Sequence, residues 1–517
     1  MAEAARGEAI KFRFDFGIGR KKELNAKGWM GMNMKVTSIC VVVCGLLFSS
    51  AFAQQAPWGR ADIPISSRDR VYAADQTSNT VSVIDPAANK LLGVIRLGDP
   101  VPGALSALYK GQLLVHGLGY SPDSKTLAVV SIASNSVTLI DTETNKIKGI
   151  IYVGRSPHEA FFTPNGRELW VTVRGEDYVS VIDPQKMKET GRIRLASGPG
   201  MTMFGPDGRY GFVCSSFTPE IAVVDVASHQ TIKRVPQSSP FCPNIAVTPE
   251  NDEVWITLKD VGKVQVFRAK PPFEQIALFD TGPITNHVNF ANNRNGKFAY
   301  LTIGGTNEVK VYRRGAKPEL LATISVGDLP HGIWPSGDGT RVYVALENGE
   351  HAIAIDTLSN KVIANIPIGQ TTQALVYVPG AVTNGDGTSN LIPLGTAGET
   401  LHIEMLPPSG ASSNGRATVA VNSLGVIDLL QIAAVGLQPG QEYQLFLVDS
   451  LTKPDASRVG LTKFTANPSG AAIAQAIGPL RTVGVATDGT GGKQPEPRYL
   501  LVTSTNSNER VLQQKMP

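Results

Sequence analysis

The chain lacks a net charge once its first 53 residues are set aside. Those residues hold eight of the 48 lysines and arginines and four of the 44 acidic residues, which leaves 40 of each in the rest of the chain. A neutral chain has no overall field to attract phosphate backbones or anionic lipid. The sequence therefore gives no reason to expect a nucleic-acid partner.

Common catalytic and cofactor motifs are also missing. The sequence contains no Cys-x-x-Cys-His for covalent haem, no Gly-x-Ser-x-Gly nucleophile elbow and no His-Glu-x-x-His zinc motif. Gly117 and Gly119 form a fragment of a glycine pattern without a following helix, so a nucleotide-binding loop is not expected. These motifs therefore indicate no certain cofactor, and the one cofactor that the sequence leaves possible is a divalent metal.

The front of the chain has no apolar run long enough to remain as a membrane span. The apolar run at 39–48 is preceded by Lys35 and followed by small residues ending at Ala53. This arrangement is typical of a secretory signal peptide. We predict a signal peptide over 34–53 within a leader of 1–53, and a periplasmic or secreted product with no stable membrane span after cleavage. A retained cytoplasmic tail on a membrane anchor is the alternative.

Only two cysteines lie beyond the leader. Cys214 lies on a predicted strand, and Cys242 lies just before the innermost strand of the next repeat. In an exported protein an even pair favours a disulfide. A bridge between adjacent repeats and two buried thiols are both compatible with the sequence.

In place of these features the sequence has a repeat of about 42 residues. Seven related segments begin at Val81, Val137, Val179, Ile221, Val264, Val309 and Ala352. The steps between them are 56, 42, 42, 43, 45 and 43 residues. Apolar and polar residues alternate within each segment, which is the period of a strand. Four strands in each unit of this length predict the blades of a β-propeller.

The two ends of the repeat region complement each other. The first copy begins at Val71 on a second-type strand, and a lone first-type strand follows the seventh copy at 373–379. We expect the late strand to complete the first blade, because ring closure removes open sheet edges. The prediction is an all-β chain with a seven-bladed β-propeller over 68–380.

These repeats resemble the YVTN-type family of seven-bladed β-propeller proteins. The resemblance is carried by segments such as NTVSVIDPAANKLLGVIRLG, RSPHEAFFTPNGRELWVTV and HAIAIDTLSNKVIANIPIG. It implies a WD40-like repeat fold and an extracytoplasmic binding or surface protein. The same propeller carries lactonases and the large subunit of quinone-linked amine dehydrogenases, and the fold alone does not choose between them.

Four of the seven histidines occupy one equivalent position, where the channel-lining strand begins. They are His116, His158, His287 and His331, and the other repeats have Gly200, Pro243 and Gln373 there. Neutral imidazoles that converge on an axis can hold a divalent metal such as zinc, copper or iron. The alternative is that each ring hydrogen-bonds a neighbouring blade.

Loops on the same face carry charged side chains that favour a polar ligand or a protein partner. The candidates for ligand binding at this channel face are Arg174, Glu176, Asp177, Glu347 and His351. The long first step of the repeat reflects an insertion within 99–115. Long loops in compact domains tend to be functional, so the insertion is a candidate lid. A harmless surface insertion is the alternative.

Beyond a linker at 381–390 the repeat disappears. Strand-like runs separated by Gly, Pro and Ser predict a small β-sandwich domain over 391–517. The segment 436–472 resembles the C-terminal β-sandwich of anti-sigma-K factors, which implies a binding or sensing module.

Three functions follow as hypotheses. The preferred one is an exported, non-catalytic propeller that binds a small molecule or a protein partner at its channel face. The second is a metal-dependent enzyme, a lyase, lactonase or oxygenase, built on the ring of histidines. The third is a subunit of a periplasmic dehydrogenase complex without a cofactor of its own.

Overall fold

The computed structural model describes residues 64–98, 113–395, 400–411, 413–423, 427–455, 457–478, 480 and 498–516. These residues form strands and one short 3₁₀ helix, η1 (Gly304–Thr306). The predicted signal peptide and most of the predicted insertion at 99–115 lie outside them. Within this described part of the chain, no helix is long and apolar enough to cross a membrane.

Seven four-stranded antiparallel sheets form the propeller, as the repeat predicts. Blade 1 contains β1 (Arg70–Asp75), β2 (Thr80–Asp85) and β3 (Lys90–Arg96), and blade 2 contains β4 (Val115–Tyr120), β5 (Thr126–Ser131), β6 (Ser136–Asp141) and β7 (Ile147–Tyr152). Blade 3 contains β8 (Pro157–Phe162), β9 (Leu169–Val173), β10 (Tyr178–Asp183) and β11 (Lys188–Arg194). Blade 4 contains β12 (Pro199–Phe204), β13 (Tyr210–Ser215), β14 (Glu220–Asp225) and β15 (Gln230–Pro236).

The remaining blades repeat this order from the channel outward. Blade 5 contains β16 (Ile245–Val247), β17 (Glu253–Leu258), β18 (Lys263–Arg268) and β19 (Gln275–Asp280). Blade 6 contains β20 (Thr285–Asn293), β21 (Gly296–Ile303), β22 (Glu308–Arg313) and β23 (Glu319–Ser325). Blade 7 contains β24 (Pro330–Pro335), β25 (Arg341–Leu346), β26 (His351–Asp356) and β27 (Lys361–Pro367), and β28 (Thr372–Val378) completes blade 1.

The ring closes as the ends of the repeat predict. β28 pairs antiparallel with β1, with Tyr377 opposite Val71. Asp75 at the end of β1 is buried and accepts hydrogen bonds from Thr372 Oγ1 on β28 at 2.8 Å and from Ser82 Oγ on β2 at 2.7 Å. One carboxylate therefore joins both ends of the propeller within a single blade.

Aromatic side chains fill the spaces between blades. Trp170 on β9 is fully buried, and its ring centroid lies 5.0 Å from that of Phe204 on β12 of the next blade. Trp255 on β17 is the equivalent residue in blade 5, and its ring lies 5.7 Å from Phe290 on β20 of blade 6. Large rings at this position pack neighbouring blades together, which holds the inner strands around the channel.

Cys214 on β13 is joined to Cys242, which precedes β16, by a disulfide between blades 4 and 5. Their Cα atoms are 6.1 Å apart, and the two residues are 28 positions apart in the sequence. The bridge therefore fixes the chain where it passes from the second strand of one blade to the channel face of the next.

Replacing both cysteines by serine is expected to lower the free energy of unfolding. Without the bridge, the unfolded chain gains conformational entropy, which for a loop of this length lowers the free energy of unfolding by about 3–4 kcal/mol. Urea unfolding of the oxidised protein checks this, and dithiothreitol should bring the wild type close to the Cys214→Ser/Cys242→Ser variant. Equal midpoints for the oxidised wild type and the variant would show that the bridge contributes nothing.

The predicted separate β domain is present after the propeller, and its eight strands form one antiparallel sheet. They are β29 (Leu401–Leu406), β30 (Arg416–Ser423), β31 (Asp428–Val435), β32 (Glu442–Val448), β33 (Arg458–Thr465), β34 (Ala472–Gly478), β35 (Tyr499–Ser504) and β36 (Arg510–Gln514). The order is β33-β32-β35-β36-β29-β30-β31-β34, and the two edge strands approach each other. The sheet is thus nearly closed around its own core and has a sandwich-like interior. We call it the C-terminal domain.

The segment 381–390, predicted as a linker, lies against the first two blades. Val382 N donates to Arg68 O at 3.0 Å, and Asn145 Nδ2 in a turn of blade 2 donates to Gly387 O at 2.9 Å. These bonds fix the chain where it leaves the propeller.

The C-terminal domain packs on the loops of the channel face. Ala433 and Ala471 form an apolar cluster with Ile284 and Leu329, which precede the innermost strands of blades 6 and 7. Gln431 on β31 contacts the loop between β25 and β26 through polar bonds described below. The domain therefore covers part of the channel mouth, which we define as the region around the four channel histidines.

Candidate functional site

The four histidines predicted from the repeat lie at the same point of their blades. His116 is on β4, His158 on β8, His287 on β20 and His331 on β24, and each is buried with 5–7% of its surface exposed. Gln373 on β28 lies between the two pairs in the ring order. The polar residues of this position therefore run over five consecutive blades, from blade 6 through blade 1 to blade 3.

Two of these rings hydrogen-bond the next blade through one nitrogen. His158 Nδ1 lies 2.8 Å from Gly200 O, and His331 Nδ1 lies 2.7 Å from Gln373 O. A carbonyl oxygen only accepts, so Nδ1 carries the proton and Nε2 keeps its lone pair. Such a bond is also how metal-ligating histidines are commonly oriented. The structural bond therefore leaves Nε2 available as a ligand.

All four imidazoles are held in the neutral form. Burial is the main cause that lowers the pKa of His116 to about 3, and the nearby charges of Arg174 and Lys259 act in the same direction. Burial also lowers the pKa values of the other three channel histidines well below the usual range. Neutral imidazole is the form that binds metal ions. The site therefore holds its nitrogen ligands ready at neutral pH.

A carboxyl group lies close to the first pair of histidines. Ligand atoms of His116, His158 and Glu159 lie within 4.8 Å of one another, and we call these residues the His-His-Glu cluster. The His116 and His158 ring centroids are 4.3 Å apart, and His116 Nδ1 lies 3.8 Å from Glu159 Oε1. Burial raises the pKa of Glu159 to about 8. Two imidazoles and one carboxyl group thus meet in a buried place.

Glu159 is absent from the sequence prediction because it follows His158 directly. Alternate residues of a regular strand point to opposite faces, so neighbouring residues are not expected to share a site. The pairing of β8 with β9 shifts register between Pro157 and Ala160. A bulge of this kind redirects side chains at the end of a strand, and no turn residue in the sequence announces it.

The second pair of histidines remains separate from the first. The His287 and His331 ring centroids are 4.6 Å apart, and His331 Nε2 lies 3.8 Å from Glu347 Oε2. Among the residues that the structure describes, this pair joins no group of three close metal-ligating atoms. The predicted four-histidine set is thus divided into two halves of the channel mouth.

The C-terminal domain contacts the second half. Gln431 Nε2 donates to Glu347 Oε1 at 2.8 Å and to Asn348 Oδ1 at 2.9 Å, and Gln475 Nε2 donates to Gln431 Oε1 at 2.7 Å. Glu347 is therefore held between His331 of the propeller and an amide of the C-terminal domain. This link has no signal in the sequence, because it depends on how two domains pack.

The predicted channel-face residues fall into two groups. Arg174 and Glu347 lie close enough to His116 to influence its pKa. Glu176 Oε1 lies 3.7 Å from Arg155 Nε, and Asp177 forms an ion pair with Arg194. Both ion pairs lie at the surface. His351 begins β26 and is half-buried, so burial lowers its pKa. Of these five residues, Arg174 and Glu347 alone reach the channel mouth.

Arg174 and Lys259 bring positive charge to this face. The Arg174 guanidinium carbon lies 5.3 Å from the ring centroid of Phe217 and 5.4 Å from that of Phe241. Lys259 Nζ lies 5.8 Å from the Phe241 centroid. The two phenylalanines are absent from the predicted ligand set, whereas Lys259 belongs to the charged loops of this face and occupies the place in blade 5 that Arg174 occupies in blade 3.

A family model and two solved structures are similar to this chain. The family model described as a lactonase, seven-bladed β-propeller, matches residues 66–362. Hydrazine synthase of Kuenenia stuttgartiensis is similar over 54% of this chain and 94% of its own, with 20% identity and a TM-score of 0.47. A functionally unknown protein from Desulfotomaculum acetoxidans DSM 771 is similar over 59% of this chain and 98% of its own, with 12% identity and a TM-score of 0.51.

The comparison with curated proteins gives no match. The likeness to the Desulfotomaculum acetoxidans structure shows the fold alone, because the identity is low. The family model covers more than half of the chain, and the structure has the seven blades that its description names. The protein therefore belongs to the lactonase family of seven-bladed β-propellers.

Proposed function

We propose that the protein is a metal-dependent enzyme whose divalent ion is held at the channel mouth by His116, His158 and Glu159. The observation that carries the proposal is the buried His-His-Glu cluster, with its ligand atoms within 4.8 Å. Three protein ligands with an open coordination position are characteristic of catalytic metal sites, whereas structural zinc sites are closed by four. The cluster therefore suits chemistry better than it suits stabilisation of the fold.

The donor set fits such an ion. His158 keeps a free Nε2 because its Nδ1 is bonded to a carbonyl. His116 Nδ1 is buried and has no hydrogen-bond partner among the described residues. An unpartnered buried nitrogen costs free energy, and a metal ion would satisfy it. Two imidazoles and one carboxylate are ligands that zinc and iron accept.

Hydrolysis of a cyclic ester is the reaction that we propose. His116, His158 and Glu159 would hold the divalent ion, which would lower the pKa of a water ligand and polarise a carbonyl group. Water adds to the carbonyl carbon and releases a proton, the ring C–O bond breaks, and the leaving alkoxide takes up that proton to give a hydroxy acid. The family match supports this reaction class.

Non-catalytic binding at the channel face is the second candidate. It is favoured by the packing of the C-terminal domain on that face, through Gln431 and the apolar cluster around Ala433. In this alternative the C-terminal domain is the partner of the propeller, and the likeness of 436–472 to a sensing module supports it. Export is part of both proposals and rests on the signal-peptide pattern at 34–53.

A panel of simple lactones tests the enzyme proposal. The purified full chain should open at least one lactone, lose this activity after removal of metal with a chelator, and regain it with one equivalent of zinc or ferrous iron. His158→Ala should remain inactive after metal is added back, and His229→Ala should behave as the wild type, because His229 pairs with Glu168 away from the cluster. Full activity in the chelated protein would contradict the proposal.

A further inference from the structure

Arg174 and Lys259 occupy equivalent places in two blades. Arg174 follows β9 in blade 3 and Lys259 follows β17 in blade 5, each at the start of the loop between the second and third strands. Both side chains are partly buried. Within the described residues, no carboxylate oxygen forms an ion pair with either side chain, and Glu347 and Asp260 influence Lys259 only from a greater distance. The channel mouth thus contains two cations without a counter-ion in contact.

Aromatic rings fix the position of these cations. Arg174 lies against both Phe217 and Phe241, and Lys259 shares the second ring. A guanidinium group that lies against aromatic rings keeps its N–H edge free for hydrogen bonds. Arg174 Nε is buried and has no partner among the described residues. A donor group is therefore held in place and lacks an acceptor.

Arg174 lies beside the His-His-Glu cluster, because Val173 before it pairs with Pro157, the residue before His158. The charges of Arg174 and Lys259 both act on the pKa of His116. The C-terminal domain contacts the loop that contains Lys259, through the next residue Asp260, and loops of other blades on the same face. Ser469 N donates to Asp260 O in blade 5 at 3.1 Å, and the remaining contacts involve blades 6 and 7 and the loop that leads into β28. Arg174 in blade 3 thus lies on a different part of the channel mouth from these contacts.

We propose that Arg174 and Lys259 bind the anionic group of a ligand, a carboxylate or a phosphate, next to the metal ligands. Cations withdrawn from water are stabilised when an anion completes their hydrogen bonds. The planar edge of a guanidinium group matches two oxygens of a carboxylate or a phosphate. As a statement about the substrate, the inference rests on the proposed function, but anion binding itself needs no metal.

Calorimetric titration of the chelator-treated full chain with inorganic phosphate and with acetate tests the proposal. At least one of the two anions is expected to bind at a single site. Arg174→Gln and Lys259→Gln should each weaken that binding by about tenfold or more, because a charge-assisted hydrogen bond is removed. Arg155→Gln is the matched control, since Arg155 is an exposed arginine of the same face that lies near Glu176, and it should bind as the wild type does.

The outcomes separate the possible ligands and the two proposals. Binding of phosphate alone identifies a phosphate group, and binding of acetate alone identifies a carboxylate. Absence of both, or equal affinity in the wild type and both glutamine variants, overturns the inference. Anion binding without any metal binding would refute the enzyme proposal and leave this one standing. If Arg174→Gln fails to fold, as judged by urea unfolding, Lys259→Gln decides alone.

Discussion

Alanine at His116 or His158 is expected to weaken the binding of zinc or ferrous iron by at least about 100-fold. Each substitution removes one of three protein ligands, and even the loss of residues that only orient ligands costs 10–100-fold in metal affinity. Competition titration with a coloured chelator measures the change. The double variant His116→Ala/His158→Ala should retain no bound metal after dialysis.

Two further variants control this result. His229→Ala removes a histidine that pairs with Glu168 and should leave metal affinity unchanged. Glu159→Gln keeps the shape of the third ligand but removes its negative charge, so the metal should bind more weakly than in the wild type. Wild-type affinity in His158→Ala would contradict the assignment of the cluster.

Truncation of Trp170 to alanine is expected to cost about 3–5 kcal/mol of the free energy of unfolding. The side chain is fully buried, packs on Phe204 of the next blade and donates from Nε1 to Glu168 Oε2 at 2.8 Å. The substitution therefore opens a cavity between blades and removes a hydrogen bond. Urea unfolding followed by far-ultraviolet circular dichroism measures the loss.

Tyr152→Ala is the matched control for this truncation. Tyr152 ends β7 on the outside of blade 2, and 72% of its surface is exposed. Its removal should change the free energy of unfolding by no more than about 0.5 kcal/mol. Equal effects of Trp170→Ala and Tyr152→Ala would mean that the contact between blades 3 and 4 does not stabilise the propeller.

The fold could be predicted because the sequence repeat itself shows where each blade begins and ends. Copies beginning at Val81, Val137 and Val179 share the strand period, and the steps between most copies are close to 42 residues. The unpaired strand at Val71 and the late strand at 373–379 predicted the closure between β1 and β28. These signals are local or depend on simple counting, so they need no knowledge of packing.

The candidate site could be predicted only in part. The shared position of the histidines placed His116 and His158 at the channel mouth, because a repeat carries equivalent residues to equivalent places. Glu159 depends on an irregular register in β8, which the alternation of a strand hides. The division into two pairs depends on distances across the channel, and sequence spacing contains no such distances.

Contacts between the propeller and the C-terminal domain could not be predicted from the sequence either. Gln431 is buried against Glu347 and Asn348, although its position in β31 resembles that of any polar strand residue. Which face of the C-terminal sheet meets the propeller depends on complementary shape and hydrogen bonding over both surfaces. That the C-terminal domain covers part of the channel mouth is therefore known from the structure alone.

The central claim is that one divalent ion binds between His116, His158 and Glu159. Anomalous diffraction from crystals of the zinc-loaded full chain tests it most directly. The account predicts one strong anomalous peak about 2.0–2.2 Å from a nitrogen of each histidine and from a Glu159 oxygen. A peak at another place, or none at this cluster when zinc is present at millimolar concentration, would contradict the account.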